Sequence, residues 1–433
     1  MNRQPIIVLD DDPTGSQTVH GCLLLTRWDT ATLRAALADA SPLFFILTNT
    51  RALPAARAAQ VTREVCRSLK VVLAGSGAQP LFVSRSDSTL RGHYPVETDV
   101  MAEELGPFDA HFIVPAFFEG GRFTRSGVHY LREQERDIPV HETEFARDSV
   151  FGYRHSYLPD YVAEKTGGRI PASAVTVLDG AAQADQLPAR LLALRGNACA
   201  VVDAEDQTQL NRFAATAQEA ARQGRRFLFR SAASLITALA RLPPQPVPAG
   251  ALGKSALNPR GAVIVGSHVP KSTRQLRSLL AQPGTEGIEI DLGRLPGARA
   301  EMRAAATAQA AASHAAGRTP VIYTSRQERA FPSLGERLAF GESVSALLMD
   351  IVRALPTSLG WLISKGGITS NDTLSAGLGL HASRLLGQVL PGVSVVRCPP
   401  EHPRHPDMPV VIFPGNVGGD DALATVYQRF SMR

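Results

Sequence analysis

The sequence predicts an α/β protein made of two three-layer α/β/α domains with mainly parallel sheets. Short apolar runs alternate with amphipathic helical stretches along most of the chain, which is the pattern of a parallel sheet covered by helices. The apolar runs are continuous rather than alternating, so both faces of each strand are expected to be buried. A chain of 433 residues is also too long for one compact core, which makes two domains the default.

The first domain is predicted over residues 1–245, with helical stretches at 31–40 and 55–69. Residues 119–170 break the alternation and are predicted to form an irregular excursion. The predicted strands are Ile6–Leu9, Leu43–Leu47, Leu81–Val83, Phe112–Val114, Ala174–Leu178, Ala198–Val202 and Phe227–Phe229. Because the carboxyl ends of parallel strands open on one edge, the polar residues that follow these strands are expected to gather there.

The second domain is predicted over residues 261–433, after a linker at residues 246–260. Proline and glycine are frequent in the linker and disfavour any regular element. An alanine-rich helix is predicted near residues 298–316. The predicted strands are Ala262–Val265, Pro320–Thr324, Leu359–Ile363 and Val410–Phe413. This second set of strands and helices indicates a separate sheet.

Composition excludes several classes of protein. Hydrophobic residues make up 44% of the chain, as in ordinary globular proteins, and the positive charge is interspersed with acids, which disfavours a nucleic-acid groove. Four widely spaced cysteines indicate neither a zinc site nor a disulfide framework. The apolar run Ile6–Leu9 is too short for a secretory signal, and no run is long enough to span a membrane. We therefore expect a soluble cytoplasmic protein without nucleic-acid or membrane partners. A homodimer is a further expectation that does not rest on these observations.

Three consecutive carboxylates follow the first predicted strand, in Asp10–Gly15. An acidic helix cap or turn is one interpretation, since Asp-Pro and Thr-Gly are common in turns. Such a cap does not require three carboxylates that repel one another. We favour a functional site that uses Asp11 and Asp12, which lie furthest beyond the strand.

The densest polar stretch follows the third predicted strand, at Ser84–His93. Arginine suits bidentate binding of a carboxylate, and aspartate can accept a proton from a hydroxyl. Arg51, after the second strand, is a further anion anchor. The predicted substrate-binding residues of this stretch are Arg85, Ser86, Asp87, Ser88, Thr89 and Arg91.

The predicted strands of the second domain lead into glycine-rich turns with small hydroxyl side chains. Such turns let backbone N–H groups approach phosphate oxygens, although the spacing here is not that of a P-loop. The turns are at Gly266–Pro270, Ser364–Asp372 and Gly415–Gly418. A polar small-molecule domain beside a phosphate-binding domain is the arrangement that a phosphotransferase needs.

At this point five segments of the sequence resemble a known family. They read LDDDPTG, SRSDSTLRGH, GSHVPKST, KGGITSND and FPGNVG, and they resemble the signature segments of the four-carbon acid sugar kinases in order and spacing. The resemblance implies an ATP-dependent kinase that acts on threonate, erythronate, 3-oxo-tetronate or a related acid. It also implies that the sugar acid binds the first domain, ATP binds the second, and the active site lies in the interdomain cleft.

The resemblance implies specific site residues. Asp11, Arg51 and the stretch Arg85–Thr89 match the positions at the substrate. The predicted nucleotide-binding residues are Ser267, Gly366, Gly367, Ile368, Thr369 and Gly415, with Asn416 beside the last. The excursion, with FFEGGRFTRSGVHYL and ETEFARDSVFGY, resembles one subgroup only, so the identity of the acid stays open.

The mechanism expected from these residues is in-line transfer from ATP with Mg²⁺, for which the sequence identifies no metal ligands. Asp87 or Asp11 is the predicted catalytic group that deprotonates the attacking hydroxyl. One alternative is a haloacid-dehalogenase-like phosphatase, because Asp10-Asp11-Asp12-Pro13-Thr14 fits DxDxT with Asp10 as nucleophile. The other alternative is a protein that binds a sugar acid without phosphorylating it.

Overall fold

The computed structural model of the chain describes residues 4–179, 185–256, 258–295, 297–326 and 331–431. The chain alternates strands and helices almost throughout. Its strands are β1 (Ile6–Asp10), β2 (Leu23–Leu25), β3 (Leu43–Leu47), β4 (Leu81–Arg85), β5 (Ala110–Val114), β6 (Arg122–Arg125), β7 (Val128–Glu133), β8 (Arg136–Pro139), β9 (Thr176–Asp179), β10 (Ala198–Asp203), β11 (Phe227–Ser231), β12 (Gly261–Val265), β13 (Thr285–Ile290), β14 (Thr319–Thr324), β15 (Trp361–Lys365), β16 (Ala382–Leu390), β17 (Val393–Arg397) and β18 (Pro409–Phe413).

The helices connect most of the parallel strands. They are α1 (Thr30–Ala38), α2 (Ala55–Leu73), α3 (Val96–Leu105), α4 (Leu158–Lys165), α5 (Leu187–Ala193), α6 (Gln207–Arg222), α7 (Ala233–Ala240), α8 (Pro270–Leu280), α9 (Arg299–Ala315), α10 (Leu334–Ala354), α11 (Gly367–Asp372) and α12 (Ala422–Ser431). None of the described helices is long and apolar enough to cross a membrane. Every strand and helix predicted from the sequence is present, with ends that differ by three residues at most from those expected, except α2, which continues four residues further.

The chain divides into two compact units. Unit 1 contains Met1–Thr18 and Trp28–Pro243, and unit 2 contains Val19–Arg27 and Pro244–Arg433. The predicted first domain, residues 1–245, includes the segment that the structure groups with unit 2. This segment carries β2, which pairs antiparallel with β16, so its hydrogen bonds are made to a strand more than 350 residues later.

Unit 1 is built on a parallel sheet in the order β3-β1-β4-β11-β5-β10-β9. Every residue of β1, β3, β4, β5 and β11 is buried, which requires cover on both faces of the sheet. Helices α1, α2 and α3 pack in one group, and α5, α6 and α7 in another. The predicted α/β fold class is confirmed.

Strand β1 lies between β3 and β4, so the two parallel strands that pair with it are added on opposite sides. Asp10 pairs in register with Leu47 of β3 and with Arg85 of β4, and all three residues end their strands. A position where the strand order reverses is where open α/β sheets bind ligands at their carboxyl edge. The polar residues after these three strands therefore occupy the expected ligand position in unit 1.

The predicted excursion at residues 119–170 is well ordered. It contains the antiparallel sheet β6-β7-β8 and helix α4. Its apolar side chains share a buried cluster with the main sheet of the unit, in which Tyr153 and Tyr161 pack with Leu90 and Ile113. The sequence pattern was irregular because the excursion changes from the helical period to an antiparallel sheet over a few residues.

Unit 2 contains a sheet in the order β13-β14-β12-β15-β18-β17-β16-β2. The first five strands are parallel, and the pairings from β18 to β2 are antiparallel. Within the predicted linker, residues 249–255 form a 3₁₀-helix whose Leu252 side chain is buried in the core of this unit. The predicted linker of residues 246–260 thus contains a packed segment; its residue 257 lies outside the described residues.

Candidate functional site

Three polar clusters of unit 1 meet at the carboxyl edge of its sheet. The Asp11 backbone N–H donates to the Arg85 carbonyl at 3.2 Å, and the Arg51 N–H donates to the Asp11 carbonyl at 3.2 Å. The side chains that follow β1, β3 and β4 are therefore held together by the backbone itself. The structure brings together the residues that the sequence predicted at this edge.

Asp11 is the most extensively hydrogen-bonded carboxylate of this edge. It accepts from Nε of Arg51 at 3.1 Å, from Nη2 of Arg51 at 2.5 Å and from the Ser86 hydroxyl at 2.5 Å. Its side chain is only 2% exposed. Both of its oxygens are thus occupied by protein donors, which suits Asp11 to hold Arg51 in place.

Asp10 and Arg85 form a second, fully buried pair. Nη1 of Arg85 donates to Oδ1 of Asp10 at 3.2 Å, while Oδ2 of Asp10 has no hydrogen-bond partner. Burial raises the pKa of Asp10 to about 7, although Arg85 acts to lower it. The Asp10 side chain has no exposed surface, which is unsuited to a nucleophile that must reach a phosphate.

We expect the substitution Asp10→Asn to reveal this protonation as a pH-dependent difference in stability. Asp10 keeps its proton up to about pH 7 in the folded protein but has a pKa near 3.8 in the unfolded chain. The stability that protonated Asp10 contributes to the folded protein is therefore lost as the pH rises between these two values. The asparagine of the variant does not titrate in this range, so the variant lacks this pH dependence. Its free energy of unfolding, relative to the original protein, should therefore increase by roughly 2–4 kcal/mol between about pH 4 and about pH 8.

Denaturant unfolding of both proteins at the two pH values measures this difference. A relative stability of the Asn variant that falls with rising pH would contradict the prediction. It would show that ionised Asp10 is stabilised by Arg85 more than it is destabilised by burial.

Asp87 is more open to solvent than Asp10 or Asp11, with 14% of its side chain exposed. It accepts from Nε of Arg91 at 2.7 Å and from the Thr89 hydroxyl. Burial acts to raise its pKa, but Arg51, Arg91 and Thr89 together hold the pKa of Asp87 well below its usual range. Asp87 is therefore ionised at neutral pH and available to accept a hydrogen bond from a substrate hydroxyl.

Asp12 lies at the solvent side of the same edge. Its carboxylate accepts from the Thr14 backbone N–H at 2.9 Å and from the Thr14 hydroxyl, and it lies 3.6 Å from Nη1 of Arg51. Burial acts to raise the pKa of Asp12, but Arg51 and Thr14 lower it more. Asp12 thus stabilises the turn, as the turn interpretation expects, and also lies near Arg51. Its functional role stays a prediction.

The excursion holds the Ser84–His93 stretch from the other side. His129 contacts the Ser88 carbonyl at 2.8 Å, and the Tyr153 hydroxyl donates to the Thr89 carbonyl at 2.8 Å. The Tyr161 hydroxyl donates to the Leu90 carbonyl at 2.9 Å. These buried contacts fix the backbone that carries Asp87 and Arg91, which gives the excursion a positioning role.

Two residues of this edge were missed by the sequence analysis. Arg230 lies at the end of β11, is 5% exposed, and donates from Nη2 to the Arg91 carbonyl at 3.2 Å. Glu97 accepts from the Thr50 hydroxyl at 2.5 Å, and burial, assisted by Asp11, raises the pKa of Glu97 to about 7. The sequence signal for Arg230 was present, since FLFRS ends an apolar strand in arginine just as LFVSR does.

The glycine-rich turns of unit 2 also gather at one edge, because β12, β15 and β18 are neighbours. The Gly366 N–H donates to the Phe413 carbonyl at 2.8 Å. The Ser272 hydroxyl donates to Oγ of Ser267 and to the Gly415 carbonyl, each at 3.0 Å. These bonds hold together the turns where the sequence predicted nucleotide-binding residues.

The other predicted residues of this edge differ in exposure. Gly367 begins α11, and Thr369 in its first turn is 9% exposed. Ile368, the second residue of α11, is 57% exposed. The Asn416 carbonyl accepts from Nζ of Lys271 at 3.3 Å, so this turn is held through its backbone.

Lys365 is the residue of this edge that the predicted set omitted. Its side chain is fully buried at the end of β15 and donates to the carbonyls of Pro414 and, at 3.0 Å, Gly415. Burial and, to a smaller extent, the positive charge of Lys271 together lower the pKa of Lys365 to about 7. The sequence contained its signal, a lysine that ends an apolar strand directly before a glycine pair.

Metal-binding groups are sparse in the part of the chain that the structure describes. There, no group of three or more His, Cys, Asp or Glu side chains could hold a metal ion. The side chains of Cys22, Cys66, Cys199 and Cys398 are buried thiols. A Mg²⁺ ion bound mainly by nucleotide phosphates and water does not require such a group.

Comparison with protein families gives two matches. Residues 6–239 match the sugar-binding N-terminal domain, and residues 262–423 match the nucleotide-binding C-terminal domain. The first match covers the arginine and aspartate residues described above, and the second covers the glycine-rich turns.

Two curated relatives are similar over 218–219 residues. A D-erythronate kinase of Heliobacterium modesticaldum is 31% identical over 48% of this chain and 47% of its own. A D-threonate kinase of Bordetella bronchiseptica is 32% identical over 48% of each chain. The chain thus spans about half the length of the curated relatives it matches.

Two solved structures share the fold. One, from Salmonella typhimurium LT2 and named provisionally as a tRNA synthase, has a TM-score of 0.66 at 20% identity and covers 98% of each chain. The other, a Haemophilus influenzae protein matched to the family model DUF1537, has a TM-score of 0.62 at 18% identity, over 98% of this chain and all of its own. At these identities the likeness concerns the fold.

Proposed function

Because this chain belongs to the four-carbon acid sugar kinase family, we propose that it transfers the γ-phosphate of ATP to a hydroxyl of a small acid sugar. Threonate, erythronate and oxo-tetronates are the proposed substrates, since the similar curated proteins are named as kinases of D-erythronate and D-threonate. The observation that carries the proposal is the contrast between the two sheet edges. One carries arginine and aspartate side chains, and the other glycine turns and hydroxyls.

The proposed acid-sugar site is the edge of unit 1. Arg51, Arg85 and Arg91 surround Asp11, Asp10 and Asp87 there, in ion pairs of 2.5–3.2 Å. This alternation of charges suits a ligand that carries both a carboxylate and hydroxyl groups. Ser86 and Thr89 already donate to these aspartates, which fixes where the carboxylate oxygens point.

The proposed ATP site is the edge of unit 2. Ser267, Gly366 and Gly415 lie on neighbouring turns that follow buried strands, and helices α8 and α11 begin directly after two of them. The N–H groups of Gly366 and Ser267 donate to the carbonyls of Phe413 and Lys365. The proposed phosphate donors are therefore the backbone N–H groups at the starts of α8 and α11, where the helix dipole also favours negative charge. The Thr369 hydroxyl and Asn416 are the accompanying polar groups.

Asp87 is the group that we propose as the base for the attacking hydroxyl. Asp11 was the other predicted candidate, but both of its oxygens already accept hydrogen bonds from Arg51 and Ser86. Asp87 is more exposed and ionised, so it can orient the hydroxyl and accept its proton as the bond to phosphorus forms. The hydroxyl oxygen displaces ADP from the γ-phosphorus, with positioning supplying most of the catalysis.

Mg²⁺ remains part of the proposal as the companion of ATP, where it would neutralise phosphate charge. The homodimer and the cytoplasmic location also remain predictions.

Neither alternative function has support from the described residues. A phosphatase that uses Asp10 as nucleophile requires a reachable carboxylate, whereas Asp10 is fully buried against Arg85. A protein that only binds the acid would have no use for the glycine-rich turns of unit 2. Kinase activity explains both edges.

A coupled assay of ADP formation with stereoisomeric tetronates and 3-oxo-tetronates tests the proposal. We expect ADP formation that depends on one or a few of these acids and phosphorylation of the acid at one hydroxyl. The matched neutral polyols serve as controls. ADP release without any acid, or none with every acid in the panel, would overturn the proposed function.

A further inference from the structure

Arg122 stands apart from the other arginines of the unit 1 edge. Arg51, Arg85 and Arg91 each have a carboxyl oxygen of an aspartate within 3.2 Å. Arg230 donates from Nη2 to the Arg91 carbonyl. Within the described ranges, no carboxylate forms an ion pair with Arg122, and its buried Nε has no hydrogen-bond partner. A desolvated guanidinium without an anion is costly, so an arginine kept in this state calls for a charged ligand.

Two neighbouring residues define the position of the Arg122 guanidinium. A side chain at Gly120 would lie 2.3 Å from Nη1 of Arg122, so the guanidinium occupies the space that this glycine leaves open. The Phe145 ring lies 5.9 Å from the Arg122 guanidinium carbon and 5.0 Å from that of Arg91. Two guanidinium groups are therefore brought to the same aromatic ring.

Arg122 belongs to the acid-sugar edge by its charge environment. Burial lowers the pKa of Arg122. Among the neighbouring charges Asp87 has the largest effect and raises the pKa, whereas Arg91 has a smaller effect and lowers it. The Arg122 backbone N–H donates to the Phe117 carbonyl, and the Phe117 N–H donates to the Arg122 carbonyl, each at 2.9 Å. The residue is thus held at the start of β6 with its side chain near the proposed base.

We propose that Arg122, supplied by the excursion, binds the carboxylate of the acid sugar and selects acids over neutral polyols. This inference rests on the proposed function, which it makes more specific. Arg91 is already occupied by Asp87 through Nε at 2.7 Å, and Arg230 donates to the Arg91 carbonyl at 3.2 Å, whereas the Arg122 guanidinium is kept for the ligand. Its forked donors match a carboxylate, which a neutral sugar alcohol cannot offer.

The test compares Arg122→Met and Arg122→Lys with the control Arg125→Met. Arg125 lies on the same strand but is 42% exposed, and its charge is balanced by ion pairs with Glu205 and Asp137. We expect Arg122→Met to raise KM for the preferred tetronate roughly 10- to 100-fold. KM for ATP should change less than about 2-fold. Arg122→Lys should raise KM for the tetronate less than Arg122→Met does, because lysine keeps the positive charge although it cannot reproduce the forked donors.

Calorimetric titration with the same tetronate, without ATP, separates this inference from the proposed function. If the original protein binds the acid but forms no ADP, the kinase proposal fails, and loss of binding in Arg122→Met still supports the inference. If the original protein is active and the variant binds the acid equally well, only the inference is overturned. No acid binding by the original protein overturns both, and a raised KM for ATP alone overturns the inference, since Arg122 would then act on phosphate.

Thermal unfolding of each variant shows whether the substitutions preserve the fold. Should Arg122→Met unfold early, Arg122→Lys keeps the positive charge and decides the question. The ratio of kcat/KM for the tetronate over its neutral polyol is the decisive readout, because a merely structural role would lower both values together. That ratio should fall at least about 10-fold in the variant and stay unchanged in Arg125→Met.

Discussion

Replacing Asp87 with asparagine should lower kcat by about 100-fold or more and leave KM for ATP within about 2-fold. The asparagine keeps the shape of the side chain but cannot accept the proton of the attacking hydroxyl. ATP is proposed to bind unit 2, whereas Asp87 belongs to unit 1, so the affinity for ATP should not change. Steady-state kinetics with the tetronate that is active in the coupled assay measures both constants.

Asp148→Asn is the matched control for this experiment. Asp148 also lies near the Arg91 guanidinium, at 3.7 Å, and has a similar exposure of 26%. The substitution Asp148→Asn removes one negative charge near Arg91 and leaves the proposed base unchanged. The kcat of this variant should therefore fall less than about 5-fold. Intact turnover in Asp87→Asn, combined with weakened ATP affinity, would show that the base is misassigned.

Gly366→Ala is expected to weaken ATP binding by about 10-fold or more. Gly366 has a φ of +122°, a conformation that residues with a Cβ rarely adopt. A Cβ there would lie 3.0 Å from the Thr369 hydroxyl oxygen and 3.3 Å from the Ser267 backbone nitrogen. The substitution therefore strains the turn and displaces the groups that we propose to hold the phosphates.

Gly317→Ala controls for the loss of a left-handed glycine alone. Gly317 has a φ of +76° at the end of α9, and an added Cβ would have nothing within 4 Å. It should lower stability modestly without changing KM for ATP. Titration with ATP and thermal unfolding of both variants make the comparison. Equal ATP affinity in Gly366→Ala and the original protein would argue against a nucleotide site on this turn.

The strand–turn units of both sheets could be predicted from the sequence because each is local. A run such as Ile6–Asp10 is continuously apolar, and the polar residues that follow it are adjacent in the chain. Parallel strands then bring their carboxyl ends to one edge by geometry alone. For this reason Asp11, Arg51 and Arg85 could be placed together without coordinates.

The segments that the sequence analysis missed are those whose pairing is distant or irregular. Strand β2 is three residues long and pairs with β16, and the three-stranded sheet of the excursion interrupts the helical period. No local pattern identifies such partners. The packed segment at residues 249–255 was likewise hidden, since its prolines and glycines read as a linker.

The fold class, the order of the polar clusters and the residue types at each sheet edge can be predicted from local patterns in the chain. Which arginine lies against which aspartate, and that Arg122 has no such partner among the described residues, is known from the folded structure alone. Asp11 and Arg51 are 40 residues apart, and Asp10 and Arg85 are 75 apart. Such ion pairs depend on strand order and side-chain reach, which are set by packing, whereas strand and turn propensities act between neighbours in the chain.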